Sequence, residues 1–311
     1  MLRLFVARKL SVDPRRVVGP EVDVDLWDDE LPPSRTELLA RVARADGLLA
    51  LLTEKVDREL LEAAPSLRVV ANHAVGVDNV DVPACTARGI WVTNTPDAVT
   101  ESTADLTWAL ILAVARRLGE GERLLRAGRY KAWTPTLLLG LELRGATLGI
   151  VGLGRIGEAV ARRARGFGMH VFHTTSRGGI PLEELLARSD VVTLHCPLTA
   201  ATRHLIDARR LAQMKRGAIL INTARGPVVD EAALVVALES GHLGGAGLDV
   251  FENEPLVHPG LIGREDVVLL PHLGTATHAT REQMATMALT DAARVLRGEP
   301  PQHPVNEVRP W

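Results

Sequence analysis

The sequence predicts an α/β protein made of two doubly wound parallel-sheet domains, and three observations carry that prediction. Residues 1–96 alternate strand-like apolar runs with helical patterns, which implies a parallel sheet covered on both faces. A second alternating series starts at Thr147 and continues to about residue 270. At its head, a strand, a G-x-G-x-x-G turn, a helix and another strand follow one another within residues 147–177. That is the context in which such a glycine turn binds a dinucleotide.

In the first series, strands are expected at 2–7, 22–27, 47–52, 67–73 and 90–94, with helices near 14–18, 34–45, 57–64 and 83–88. Ser34 and Asp57 stand where N-caps belong, because their short side chains can accept the N–H groups that a helix start leaves unpaired. No phosphate-binding glycine turn occurs here, so this series is not the main nucleotide site. Asn72 to Asp78 follow the fourth strand, and ligands of open α/β sheets gather at the C-terminal ends of strands. Backbone N–H groups around Val75 and Gly76 could hold a small carboxylate there; the alternative is an ordinary strand-to-helix turn. His73 reads as packed rather than catalytic.

Residues 101–118 form a long helix that is apolar around most of its circumference, so it must be widely buried. It should link the two series and pack on a second subunit. Residues 128–143 are less regular, with Trp133 and Pro135 in a segment able to reach a neighbour.

The glycines of the second series have separate physical roles. Gly152 permits a tight turn out of the strand, Gly154 lets a pyrophosphate approach the backbone, and Gly157 lets helix and strand pack closely. The helix start then offers unpaired N–H groups and a positive dipole end to phosphate. Later strands are expected at 191–195, 218–222, 245–248 and 267–270, with helices at 205–214, 231–240 and 277–297. The last helix returns to the first domain, giving a substrate domain of residues 1–98 plus 287–311 around a nucleotide domain of 99–286.

Composition narrows the function classes. A chain of 311 residues allows about two domains, and 46% hydrophobic residues suffice for two cores. A net charge of −2 gives no footprint for nucleic acid or an anionic membrane. No apolar run reaches membrane-spanning length, and the first ten residues are too soon charged for a secretory signal. Cys85 and Cys196 have no metal-ligand spacing and suit a reducing cytoplasm. No metal is expected.

Arg225, Asp249, Glu254 and His272 lie at or just after strand ends of the nucleotide series, on the edge that carries the glycine turn. Reduction of a carbonyl by hydride needs a cation to fix the substrate, and the planar fork of arginine pairs bidentately with a carboxylate. It also needs an acid for the developing alkoxide, a task suited to histidine, and a neighbouring carboxylate favours the imidazolium. Arg225, His272 and Glu254 can fill these roles. Taken singly, they could equally be a surface ion pair, a capped core histidine and a solvated loop charge.

An NAD site has an acidic residue at the end of the second strand to bind the ribose hydroxyls. Here that strand runs into His173, Thr174, Thr175, Ser176 and Arg177. Hydroxyls with an arginine suit a 2′-phosphate, so NADP is expected in preference to NAD.

The motifs G-L-G-R-I-G (152–157), H-C-P-L-T (195–199), I-N-T-A-R-G (221–226), G-L-D-V-F-E-N-E-P (247–255) and P-H-L-G (271–274) together resemble the D-isomer-specific 2-hydroxyacid dehydrogenases. Among these, the chain is most similar to the glyoxylate/hydroxypyruvate reductases, also called glycerate dehydrogenases. The resemblance extends over nearly the whole chain. It implies a Rossmann cofactor domain inserted in a flavodoxin-like substrate domain, and an oxidoreductase that reduces 2-oxoacids to D-2-hydroxy acids in a cleft closed by domain motion. It implies that Arg225 and His272 bind substrate with the Val75–Gly76 backbone, that His272 is the acid/base, and that Glu254 orients it. Cofactor contacts are implied at Gly152, Gly154, Arg155, Ile156, Gly157, Cys196, Pro197, Thr202, Thr223, Ala224 and Gly274, with Asp249 meeting the nicotinamide carboxamide. The resemblance further implies a homodimer with helix 101–118 at its interface.

Other readings stay open at this stage. A 3-phosphoglycerate dehydrogenase of the same family often carries a further C-terminal regulatory domain, which a chain ending at Trp311 disfavours. Formate dehydrogenase requires a longer chain and a different neighbour for the histidine. A nicotinamide-sensing corepressor could retain the Arg/Glu/His set without turnover, and a methyltransferase fits the first domain poorly.

Overall fold

The structure, a computed structural model, describes residues 1–308 and divides into two compact units. Unit one comprises Met1–Val99 and the chain from Ala276 onward; unit two is Thr100–Thr275.

Unit one begins with β1 (Leu2–Val6), α1 (Pro14–Val18), β2 (Val22–Leu26), α2 (Arg35–Val42), β3 (Gly47–Ala50), α3 (Arg58–Ala63), β4 (Val69–Asn72), α4 (Val82–Ala87) and β5 (Trp91–Thr93). The five strands are parallel in the order β2-β1-β3-β4-β5, the flavodoxin-like arrangement. Strand periodicity explains the double burial. Phe5, Leu48, Ala50 and Val70 face Leu38, Val42, Leu60 and Leu61 of the helices, while Leu4, Val6, Leu49 and Val69 point the other way. Ser34 closes a capping box with Glu37, and the Asp57 carboxylate accepts the Leu60 N–H. The C-terminal segment flanks β5: Asn306 accepts the Val92 N–H at 2.8 Å and donates to the Ile90 carbonyl at 2.9 Å.

Unit two contains α5 (Thr100–Ala115), α6 (Leu118–Arg126), β6 (Thr147–Val151), α7 (Arg155–Ala164), β7 (His170–Thr175), β8 (Gly178–Gly179), α8 (Leu182–Arg188), β9 (Val191–Leu194), α9 (Ala208–Gln213), β10 (Ile219–Asn222), α10 (Glu231–Glu239), β11 (Gly245–Leu248) and β12 (Val267–Leu269). Its sheet order is β12-β11-β10-β9-β6-β7-β8, parallel except for the antiparallel β8. The winding reverses between β6 and β9, the switch point at which open sheets of this kind bind nucleotides. No described helix is long and apolar enough to cross a membrane.

The elements depart from the sequence expectation in several places. α6 and α8 are additional to the expected helices, and the two-residue β8 is too short to carry a strand period. α11 (His278–Leu296) is one unbroken helix in unit one, so the second junction lies at Thr275/Ala276 rather than 286/287. Its Ala288, Leu289, Ala292 and Leu296 cover the β1–β3–β4 face. α5 is the long, widely buried helix expected from the sequence. Thr103, Ala104, Thr107, Trp108, Leu110, Ile111, Val114 and Ala115 are buried within the protein, and exposed Glu101 and Asp105 pair with Arg162 and Arg163 of α7.

Ile150 is fully buried in β6, between β7 and β9. Ile150→Ala should destabilise unit two by about 2–5 kcal/mol, the range for truncating such a core side chain. Urea unfolding followed by circular dichroism measures the loss.

Candidate active site

The glycine turn follows β6 at the switch point. Gly152 has φ 95°, and a Cβ there would meet the Cys196 nitrogen and His195 carbonyl carbon at 2.7 Å. A Cβ on Gly157 would lie 2.2 Å from the Gly152 oxygen. Both positions therefore exclude a side chain. Gly154, the N-cap of α7, faces open space and makes no side-chain cap bond. The helix N–H groups beyond it form a cradle for a pyrophosphate, so the turn fits a dinucleotide. Arg155 opens α7 on an exposed position, whereas the Ile156 side chain joins the core. Across the turn, burial lowers His195 to about 3 and raises the Cys196 thiol to about 11, keeping both neutral.

The hydroxyls expected around the cofactor are not equivalent. Thr175 donates to the Gly178 carbonyl at 3.0 Å and accepts the Arg177 N–H at 3.1 Å, closing the β7–β8 turn. Thr202 donates to the Pro197 carbonyl at 2.6 Å and accepts the Thr199 N–H. Thr223 turns inward to Thr107 on α5, with 2.9 Å between hydroxyls. The Ala224 N–H goes to the Asn222 side chain. Ser176 and Arg177 stay exposed at the tip of the turn beyond Thr174. Among the described residues, no carboxylate pairs with the Arg177 guanidinium.

Arg225, Glu254 and His272 come together. His272 Nδ1 lies 3.0 Å from Glu254 Oε2, and Glu254 Oε1 accepts the Phe251 N–H at 3.0 Å. Burial by itself would raise the Glu254 carboxyl. The His272 bond and charge, the Phe251 N–H and the Arg225 charge outweigh it and hold the group below its ordinary range. A carboxylate facing Nδ1 orients the ring and leaves Nε2 for a reacting oxygen. Arg225 follows β10, where Asn222 donates to its carbonyl at 3.0 Å, and its Nη1 donates to the Ala224 carbonyl.

Asp249 is 1% exposed. Its two oxygens accept the N–H groups of Leu273 at 2.6 Å and Gly274 at 2.8 Å, and its carbonyl accepts the His272 N–H at 2.9 Å. It thus holds the His272 loop, a role the sequence reading did not include. Burial, the leading cause, pushes its carboxyl upward against these bonds.

In unit one, Val75 and Gly76 follow β4. Asn94 donates to the Val75 carbonyl and Asn72 to the Gly76 carbonyl, both at 2.8 Å. Among the described residues, the N–H groups of Val75 and Gly76 have no acceptor. Two adjacent donors free of backbone partners can receive a carboxylate. Beside them His73 is 8% exposed, and burial lowers it to about 4. Sequence reasoning missed Asn222, Asn72 and Asn94. For Asn222 and Asn72 a signal was available, since an asparagine at a strand end commonly bonds the turn that follows; Asn94 bonds a carbonyl 19 residues earlier and has no local signal.

A glycine turn at a switch point, with a Glu–His pair and an arginine on neighbouring strand ends, defines unit two as the nucleotide-binding part of a dehydrogenase. Comparison with known proteins narrows the class. Residues 108–274 match the D-isomer specific 2-hydroxyacid dehydrogenase, NAD binding domain, and the chain belongs to that family. It is 48% identical to a glyoxylate reductase of Korarchaeum cryptofilum, covering 98% of this chain and 96% of that one. Among solved structures, a Thermus thermophilus protein is 48% identical with a TM-score of 0.92, covering 98% of this chain and 100% of the other. The NADPH-dependent glyoxylate/hydroxypyruvate reductase of Sinorhizobium meliloti, in complex with NADP and malonate, is 38% identical with a TM-score of 0.85, covering 98% and 96%.

Proposed function

We propose that this dehydrogenase reduces glyoxylate, and hydroxypyruvate as a close analogue, to the corresponding D-2-hydroxy acid. The observation that carries the reading is the His272–Glu254 pair at 3.0 Å with the Arg225 charge acting on it, in a family member similar to glyoxylate reductases over nearly its whole length. Those relatives favour it over 3-phosphoglycerate oxidation or a corepressor role. Gly152, Gly154 and Gly157 would hold the nicotinamide cofactor, which when bound would supply hydride to the carbonyl carbon. Arg225 binds the substrate carboxylate; in unit one, the free N–H groups of Val75 and Gly76 are donors of the kind that bind a carboxylate. His272 holds a proton at Nε2 and gives it to the carbonyl oxygen, while Glu254 stabilises the charged ring. The sum is 2-oxoacid, reduced cofactor and a proton giving 2-hydroxy acid and oxidised cofactor.

We further infer a preference for NADP. Position 177 carries a guanidinium without an acidic partner, and no acid stands at 173–177. The Sinorhizobium meliloti reductase, similar to this chain, was solved with NADP. We also infer a homodimer, with the arm after α5 contributing to its interface. Leu118, Leu125, Trp133 and Leu139 of that arm are 55–77% exposed, large apolar side chains that a second subunit would cover. Cys85 and Cys196 are both free thiols, which fits a cytoplasmic location.

Steady-state kinetics with a panel of 2-oxoacids tests the assignment. His272→Ala should lower kcat by about 10²–10⁴-fold, as loss of a general acid does. Glu254→Gln should move the fall of kcat/KM for reduction, which accompanies rising pH, to lower pH; a superimposable profile would refute the pairing. Arg177→Ala should lower kcat/KM for NADPH about 10- to 100-fold, the effect of about 1.5–3 kcal/mol from a charged hydrogen bond, and leave NADH unchanged. Light scattering should give a dimer mass, shifted toward monomer in Trp133→Ala/Leu139→Ser.

A further inference from the structure

Glu231 opens α10, six residues after Arg225, and takes no place in the mechanism above. As the first residue of a helix it could serve merely as a solvent-facing acid that favours the dipole. Its surroundings contradict that role. It is 5% exposed, and its Oε1 accepts the Glu252 N–H at 2.6 Å. Burial raises its carboxyl above the ordinary range even though backbone hydrogen bonds from Glu252 and His258 oppose the rise.

Three segments meet at Glu252. Its backbone is taken by Glu231, and its side chain receives His204 Nε2 at 2.5 Å with Arg203 at 3.9 Å. The chain around His204 is tied in turn to the loop after Arg225: His204 N–H donates to the Pro227 carbonyl, and Ile206 N–H to that of Val228. Gly226 completes the junction, since a Cβ there would lie 1.9 Å from the Phe251 carbonyl carbon and 2.4 Å from the Glu252 nitrogen. The loop of the substrate-binding arginine and the loop of Glu254 thus touch backbone to backbone. Two residues beyond this anchor, Glu254 meets His272 and accepts the Phe251 N–H.

We propose that Glu231 is a positioning residue for the reaction: its carboxylate pins the Glu252 backbone and so holds Glu254 at hydrogen-bond distance from His272. The proposal rests on the assignment of Glu254 and His272 given above. The need is for an acceptor at that point rather than for a charge. Glutamine keeps an oxygen at the same reach, alanine has none, and aspartate falls one methylene short.

The test compares wild type, Glu231→Gln, Glu231→Ala, Glu231→Asp, Glu254→Gln and the double variant Glu231→Ala/Glu254→Gln in glyoxylate reduction, with a pH profile and a melting curve for each. Glu231→Ala should lower kcat about 10-fold, because small misplacements of catalytic groups have large effects, and should shift the profile in the same direction as Glu254→Gln. Glu231→Gln should restore both. The double variant should show no shift beyond Glu254→Gln alone, the non-additivity of residues acting in series. If Glu231→Ala does not fold, Glu231→Asp takes its place with the same expectation. A wild-type profile in Glu231→Ala or Glu231→Asp, alongside a shifted one in Glu254→Gln, overturns the proposal, as do additive shifts in the double variant. An unmoved profile in Glu254→Gln overturns the underlying assignment instead.

Discussion

His272 stands on a left-handed backbone, with φ 56°, and one buried carboxylate keeps it there. Residues other than glycine seldom adopt that conformation, which carries a strain of about 1–3 kcal/mol. Asp249 offsets it by accepting two successive N–H groups after the histidine, and its own carbonyl takes the histidine N–H. The ring is thereby aimed at Glu254, and Glu254 is held in turn by the Phe251 N–H. Positioning of this kind depends on buried hydrogen bonds, whose partners lose more when left unpaired than the bonds themselves contribute.

The nucleotide half of the site follows a different rule. There, backbone approaches backbone: Gly152 against His195 and Cys196, and Gly157 against Gly152. Side chains are excluded at the glycine turn, and side chains of defined reach are required at the Glu254–His272 pair. Both demands meet at strand ends of a single sheet, so the lattice of β6, β9, β10, β11 and β12 fixes the spacing between them.

Much of this was legible beforehand. The alternation of apolar runs locates the parallel strands, because a strand buried on both faces, such as 147–151, reads as continuous hydrophobicity. The glycine turn, Arg225, Glu254 and His272 were legible because residue type and strand-end position together constrain chemistry. The rest was hidden for physical reasons. Whether the hydroxyl of Thr223 faces the cofactor or the helix at Thr107 depends on a contact across 116 residues. The buried bond of Glu231 likewise spans 21 residues. The junction at Thr275 falls just before the Thr277 cap of α11, and not at the boundary expected inside that helix, because the whole helix packs on unit one.

The β7–β8 hairpin has a consequence for how this enzyme could change over generations. Thr175 closes its turn from within, and β8 contributes only two glycines, both exposed. Ser176 and Arg177 at the tip belong to no core. Mutations at these two positions therefore escape the stability threshold that constrains most of a folded chain. The surface this tip presents to a ligand can drift, or be redirected in the laboratory, without compensating repairs elsewhere in the unit.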